Sequence, residues 1–325
     1  MKAAIYRRYG PPEVVQIEEV EKPVPKESEV LIKVRAASVN PLDCGIPKGS
    51  ARIVTGLVKP RIPRLGVDVA GEVEAVGRNV MQFKPGDQVF GSCRGAFAEY
   101  ACTSELKLTM KPKNITFEQA AAVPVAALTA LQGLRDKGRI HPGHEVLING
   151  AAGGVGTFAV QIAKSFGAAI TGVCSTKNVE MVRSIGADRV IDYTHEDFTE
   201  SEQRYDVILD TYTNHSLAAC RRVLNPKGRY VMVGGPAHRW MVGIMAPVIK
   251  ALVLSPFVSQ KFVIFIARSS KDDLIILHDL IKAGKVKPVI DRCYSLSEVP
   301  QAIRYMEERH ARGKVVITLA NNSKV

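Results

Sequence analysis

The stretch from Val146 to Ala168, VLINGAAGGVGTFAVQIAKSFGA, constrains this chain more than any other. Val146, Leu147 and Ile148 form a short apolar run suited to a buried parallel strand. A turn of small residues follows, from Gly150 to Gly156. Beyond it, Phe158, Ile162 and Phe166 recur at helical spacing, and Gly167 stands where helices commonly stop. Ala151, Gly153 and Gly156 keep the spacing of a dinucleotide fingerprint, with Ala in the first place and Gly154 and Val155 inside the turn. Small residues let the backbone approach a pyrophosphate, and the helix start offers free N–H groups and partial positive charge. The strand before the turn and the helix after it are the context that separates this fingerprint from an ordinary tight turn.

The next apolar run, from Ala169 to Val173, ends at Ser175, Thr176 and Lys177. A site for NAD would place Asp or Glu about 20 residues after the turn, to bond the ribose 2′-hydroxyl. Ser175 stands there instead, with Lys177 after it. A hydroxyl and a cation suit a 2′-phosphate that a carboxylate would repel, so the residues favour NADPH. The other reading of Lys177 is a solvated lysine after a strand.

At 325 residues the chain is long enough for two cores, and 46% hydrophobic with 23% charged residues is ordinary for a soluble enzyme. The start, MKAAIYRRYG, carries no apolar signal segment, and no apolar run reaches membrane-spanning length, so the expected location is cytoplasmic. Six scattered cysteines without a C-x-x-C pattern argue against a metal ribbon or a disulfide framework. The net charge of +12 is unevenly spread: from Asp210 to the next acid, Asp272, nine Lys or Arg occur. No recognition motif accompanies them, so nucleic acid is not an expected partner. The apolar, sparsely cationic run at 236–268 around Trp240 reads as a buried helix or dimer contact, or as a lipophilic lid or peripheral membrane-surface contact.

Residues 1 to about 120 read as strands punctuated by Gly and Pro: Val14–Ile17, Glu29–Val34, Gly71–Val76, Gln88–Phe90 and Gly95–Ala101. Helices are expected over Phe117–Val123 and Ala126–Leu134. Strands then alternate with helices through Val146, Thr171, Val190, Val207 and Tyr230, which implies βαβ units and a doubly wound parallel sheet. Amphipathic helices over Asp272–Ala283 and Val299–Arg309 and a closing strand from Lys314 complete the chain.

Several ordered stretches together resemble the zinc-independent quinone oxidoreductase (zeta-crystallin-like) branch of the medium-chain dehydrogenases/reductases. They are Gly143–Leu147 with Ala151–Gly156, Gln161 and Lys164; Ala36–Asp43; Gly66–Gly77; and Ala311–Ile317. The resemblance implies an α/β chain in which a Rossmann-type sheet is inserted into a GroES-like β-barrel domain, divided 1–122, 123–266 and 267–325. It also implies a homodimer. Zinc-binding members of the superfamily hold their metal with a Cys, a His often followed by Glu, and a later Cys. The matching places here are Asn40, Val67-Asp68 and Val125, which lack the sulfur and imidazole donors zinc uses.

By position, the resemblance puts Thr129 and Val155 beside a nicotinamide ring and Tyr193 near the 2′-phosphate with Ser175 and Lys177. Val233, Gly234, Gly235, Val263 and Phe265 would contact the carboxamide. For Tyr193 the alternative is a half-exposed strand-end aromatic, and for Phe265 plain core packing. Asn40 stands where the family places a polar contact to the nicotinamide or substrate oxygen; otherwise it is a turn amide bonding its own backbone before Pro41. Asp43 reads as a buried hydrogen-bonding partner rather than a base.

Without a Lewis acid, hydride transfer is easiest to acceptors that spread the incoming charge, which points to quinones and α,β-unsaturated carbonyls. The competing functions are a zinc-free NADP-dependent alcohol dehydrogenase or ketone reductase, and a non-catalytic NADPH-binding protein at a membrane surface.

Overall fold

A computed structural model describes residues 1–50, 52–61, 63–233, 259–308 and 311–319. The chain divides into two compact units, Met1–Val125 with Ser269–Gly284 and Pro288–Val325, and Ala126–Arg268 with Lys285–Lys287. Lys285–Lys287 stays with the second unit because the Gln161 side chain grips Lys287, donating to its carbonyl at 3.0 Å and accepting from its N–H at 2.7 Å.

The first unit begins with strands β1 (Lys2–Tyr6), β2 (Val15–Glu19), β3 (Glu29–Val39), β4 (Asp68–Val76), β5 (Gln88–Ser92), β6 (Tyr100–Ser104) and β7 (Leu108–Met110). The second unit supplies β8 (Glu145–Asn149), β9 (Ala169–Cys174), β10 (Arg189–Asp192), β11 (Tyr205–Asp210), β12 (Leu224–Val233) and β13 (Lys261–Phe265). The chain then returns to the first unit with β14 (Ile290–Ser295) and β15 (Lys314–Thr318).

In the first unit the sheet runs β14-β15-β3-β4-β5-β7, with β6 also on β3. β3 is long, buried along most of its length and rich in β-branched residues, which favour a pleated, packed surface. Its Val30, Ile32 and Val34 join Val69, Val73, Val89, Phe97 and Leu108 in the core. Register then decides what stands at the end of β3. Ser38 pairs with Asp68 on one side, and Val39 pairs with Val315 on the other. Asp68 and Lys314 therefore flank the chain as it leaves β3 at Asn40.

The expected strand over Gly95–Ala101 is absent as such. Gly95 bends at φ +81°, and the N–H groups of Gly95, Ala96 and Phe97 bond to the carbonyls of Gly66 and Leu65. The segment is buried by this local docking, and regular pairing begins only at Tyr100. The helix expected over Phe117–Val123 is Phe117–Ala121, capped by Thr116 and Gln119.

In the second unit the order β10-β9-β8-β11-β12-β13 is all parallel. This is the doubly wound dinucleotide-binding order, with the reversal of direction at β8. The helix Pro124–Gln132 continues as a π-helical turn, Gly133–Gly138. Small residues there admit neighbours: a Cβ at Gly133 would lie 2.9 Å from a Leu209 methyl and 3.3 Å from the Phe265 ring. Among the described residues no helix is long and apolar enough to cross a membrane.

Candidate active site

The turn after β8 is shaped by its glycines. Gly150 takes φ +84°, open to glycine at little cost, and a Cβ there would meet Thr211 Oγ1 at 2.4 Å. At Gly156 a Cβ would fall 2.1 Å from the Gly150 carbonyl oxygen and 2.7 Å from Ala151 Cα, so only glycine lets the helix pack on the turn. Gly153 differs. Its φ is −82°, and the nearest atom to an added Cβ is Gly150 O at 3.4 Å. Among the described residues nothing requires Gly153 to be bare, and a Cβ there would occupy space in front of the turn. Gly153 also precedes helix Gly154–Ser165, which has no side-chain cap and no acidic residue in its first turn. Uncapped N–H groups and an unopposed helix dipole suit an anion.

The turn is anchored from beneath by residues that sequence reasoning missed. Asn149 donates its side-chain amide to Asp210 Oδ1 at 2.9 Å and to Asn214 Oδ1 at 3.0 Å. Asp210, fully buried at the end of β11, also accepts from the N–H groups of Tyr212 and Thr213 and from the Tyr230 hydroxyl. Burial, followed by the charge of Asp210, pushes the Tyr230 phenol well above its ordinary range and keeps it a donor. The signal was an Asp closing an apolar strand, YDVILD, where a buried carboxylate must find partners.

At the end of β9, Ser175 accepts from Asn178 Nδ2 at 3.1 Å, and Asn178 Oδ1 is buried without a hydrogen-bond partner. Lys177 is exposed beside it. Asp192, in register with Cys174, was not singled out from the sequence. Its carboxylate is held well below the usual range, first by the Thr176 hydroxyl and then by Thr194 and His195. Those bonds turn it toward its own loop. Tyr193 is 61% exposed, and its N–H bonds to the Cys174 carbonyl at 3.0 Å.

The other expected cofactor contacts also lie in the second unit. Thr129 is buried, while Ala151 is fully buried within the turn and Val155 is half-buried. Val233 and Phe265 are register partners on adjacent strands, as are Val231 and Val263. The Phe265 ring lies against Gly133, so core packing accounts for part of its surface. Gly234 and Gly235, and most of the run at 236–268, fall outside the described residues.

In the first unit a buried polar cluster forms where β3 ends and β4 and β15 begin. Asn40 is 2% exposed and begins the short helix Pro41–Gly45. Asp43 returns a bond to the Asn40 N–H at 2.9 Å and accepts from Gly66 N at 3.0 Å. The shortest bonds of the Asn40 side chain go outside its own helix. Its Nδ2 donates to Asp68 Oδ2 at 2.9 Å, and its Oδ1 accepts from the Lys314 ammonium at 2.7 Å. The local contact from Nδ2 to the Ser38 carbonyl is long, at 3.4 Å. Asp68 further accepts from Ser38 Oγ at 2.7 Å and from Val125 N at 2.9 Å. The three positions matching a zinc-ligand set are thus tied together by one carboxylate.

Burial is the main force on Asp43, pushing its carboxyl up to about 7; the two N–H donors restrain the rise and the Asp68 charge adds to it. Among the described residues no three His, Cys, Asp or Glu side chains gather as metal ligands. Lys314 is the member that sequence reasoning passed over. It was visible only as a lysine opening an apolar strand, KVVIT, and its partners lie 246 and 274 residues away.

Comparison with known proteins matches this arrangement. Residues 26–113 fit the model for an alcohol dehydrogenase GroES-like domain, and residues 185–317 fit the model described as a zinc-binding dehydrogenase. The chain is 36% identical to the NADPH-dependent alkenal/one oxidoreductase, chloroplastic, of Arabidopsis thaliana, across 98% of this chain and 79% of that protein. The quinone oxidoreductase from Coxiella burnetii superposes with a TM-score of 0.88 at 30% identity, covering 98% of this chain and 99% of that one. The Escherichia coli quinone oxidoreductase complexed with NADPH gives 0.82 at 25% identity, covering 98% and 100%. The chain belongs to the quinone and enone oxidoreductases of the medium-chain dehydrogenase/reductase superfamily.

Proposed function

We propose that this protein is an NADPH-dependent oxidoreductase that transfers hydride, without zinc, to quinones or α,β-unsaturated carbonyl compounds. One observation carries the reading: the positions matching a metal-ligand set are Asn40, Val67 and Val125, and the charge in their midst belongs to a lysine and a carboxylate already bonded to each other's partners. Negative charge on a substrate oxygen must then be met by hydrogen bonds, and acceptors that delocalise it need the fewest.

The cofactor fits the residues present. Gly153 leaves a space that a Cβ would fill, at the start of an uncapped helix. Ser175, Lys177 and the orphaned Asn178 Oδ1 offer polar groups for the adenosine end. Tyr193 is assigned to the same end, and Thr129, Val155, Val233, Gly234, Gly235, Val263 and Phe265 to the nicotinamide end. NADPH, when bound, supplies the hydride. Asn40 is the proposed donor to the substrate oxygen, through the N–H held only at 3.4 Å by the Ser38 carbonyl. That distance lies beyond the 2.7–3.2 Å range of a good N–H···O bond, so this hydrogen is the one to redirect.

The relative from Arabidopsis is named for alkenals and alkenones, and the two superposed structures for quinones, which supports both substrate classes. We read the protein as a cytoplasmic homodimer that does not bind nucleic acid; light scattering on the purified chain gives its mass in solution. The functional test is NADPH oxidation followed at 340 nm with a panel of quinones and enones. Turnover on neither class, with NADPH bound, removes the reading.

A further inference from the structure

We propose that Lys314 is a positioning residue for hydride transfer: its ammonium locks the Asn40 side-chain amide in one orientation and polarises it as a donor. The proposal rests on the reading of Asn40 as the donor to the substrate oxygen.

Lys314 is 3% exposed, and a buried ammonium is costly unless it is well partnered. If its task were only to neutralise Asp68, it would sit closest to that carboxylate. It sits 3.4 Å from Asp68 Oδ2 and 2.7 Å from Asn40 Oδ1, with the Val39 carbonyl at 3.4 Å. The short, charge-assisted bond goes to the amide.

The two ends of an asparagine amide are nearly equal in size, so packing alone does not distinguish them. Here Oδ1 faces a cation and Nδ2 faces an anion. Turning the amide over would set NH2 against NH3⁺ and a carbonyl oxygen against a carboxylate. Both contacts are repulsive in a site where water cannot screen them.

A cation on an amide oxygen draws density from the nitrogen and makes both N–H groups better donors, the polarisation expected along a hydrogen-bonded chain. One N–H is taken by Asp68, and the other is held weakly. Lys314 thereby strengthens the hydrogen left for a substrate oxygen without touching the substrate. Backbone register secures the placement, because Val315, the residue after Lys314, pairs with Val39, the residue before Asn40.

The test compares Lys314→Met with the charge-balanced double variant Lys314→Met/Asp68→Asn. The single variant leaves a buried carboxylate uncompensated and loses thermal stability; the double variant recovers it. With an enone that the unmodified enzyme reduces, the proposal expects kcat at least about tenfold low in the folded double variant, with NADPH affinity within about twofold of normal. A double variant with full stability and full kcat overturns the proposal and leaves the functional reading intact. An unmodified enzyme that binds NADPH but reduces neither quinones nor enones overturns both. A measurement on the unmodified protein stands in if neither variant folds: NMR of the ¹⁵N-labelled Asn40 amide should show downfield, slowly exchanging NH2 protons. Ordinary shifts with fast exchange overturn the locked, polarised amide.

Discussion

The Lys314 ammonium lies 2.7 Å from Asn40 Oδ1 and 3.4 Å from Asp68 Oδ2, so a buried cation is bonded more closely to an amide than to the carboxylate beside it. The amide is held from both ends by opposite charges. Asn40→Ala removes the donor while leaving Lys314 and Asp68 to pair with each other. Its kcat toward an enone should fall about 100- to 1000-fold, with NADPH affinity unchanged, as in other losses of a single oxyanion donor. Steady-state kinetics alongside a fluorescence titration of NADPH separate the two effects.

Two glycines of one turn should fail in different ways. Among the described residues a Cβ on Gly153 meets nothing closer than 3.4 Å, whereas one on Gly156 collides with backbone at 2.1 Å. Gly153→Ala should therefore keep its unfolding midpoint and lose NADPH affinity by about tenfold or more, equivalent to at least about 1.4 kcal/mol. Gly156→Ala should lose about 3 kcal/mol of stability in urea titrations, from overpacking.

Lys177→Ala tests the adenosine end. Removing an exposed cation from a 2′-phosphate should weaken NADPH by roughly tenfold and leave NADH unchanged, because only NADPH carries that group. Calorimetric titrations with both nucleotides read the difference. Equal losses for the two would assign Lys177 elsewhere.

Asp43 makes stability depend on pH. Its folded-state pKa is raised to about 7, so the folded protein keeps the proton that the unfolded chain releases near pH 4. The stability contribution is fully present below the unfolded value and is lost as pH rises to about 7. By linkage the loss reaches about 4 kcal/mol at most. Asp43→Asn lacks this dependence and gives up one acceptor for the Asn40 and Gly66 N–H groups. It should be clearly less stable than the unmodified protein at pH 5, and the gap should narrow by pH 8 in paired denaturant titrations.

The nucleotide turn was legible in the sequence because its code is local. Gly150 and Gly156 answer steric demands within seven residues, and the flanking strand and helix announce themselves by period. The parallel sheet followed from repeated strand and helix alternation. What failed was local pattern without local cause: Gly95–Ala101 alternates like a strand but is buried by bonding to Leu65 and Gly66. The polar cluster was half legible. Asn40 and Asp43 stand in one motif, but the cation that orients Asn40 arrives from β15 through sheet register, 274 residues later. No window along the chain contains that pair. Asp192 and Asp210 escaped for a similar reason, since a carboxylate at a strand end shows its role only when its hydroxyl and amide partners are seen.

The most direct test of the central claim measures metal and turnover on the same sample. Protein dialysed against a strong chelator is assayed for zinc by mass spectrometry and for NADPH-dependent reduction of a quinone and an enone. The account predicts full activity with zinc far below one atom per chain. Activity that disappears with the metal and returns on adding zinc would contradict it.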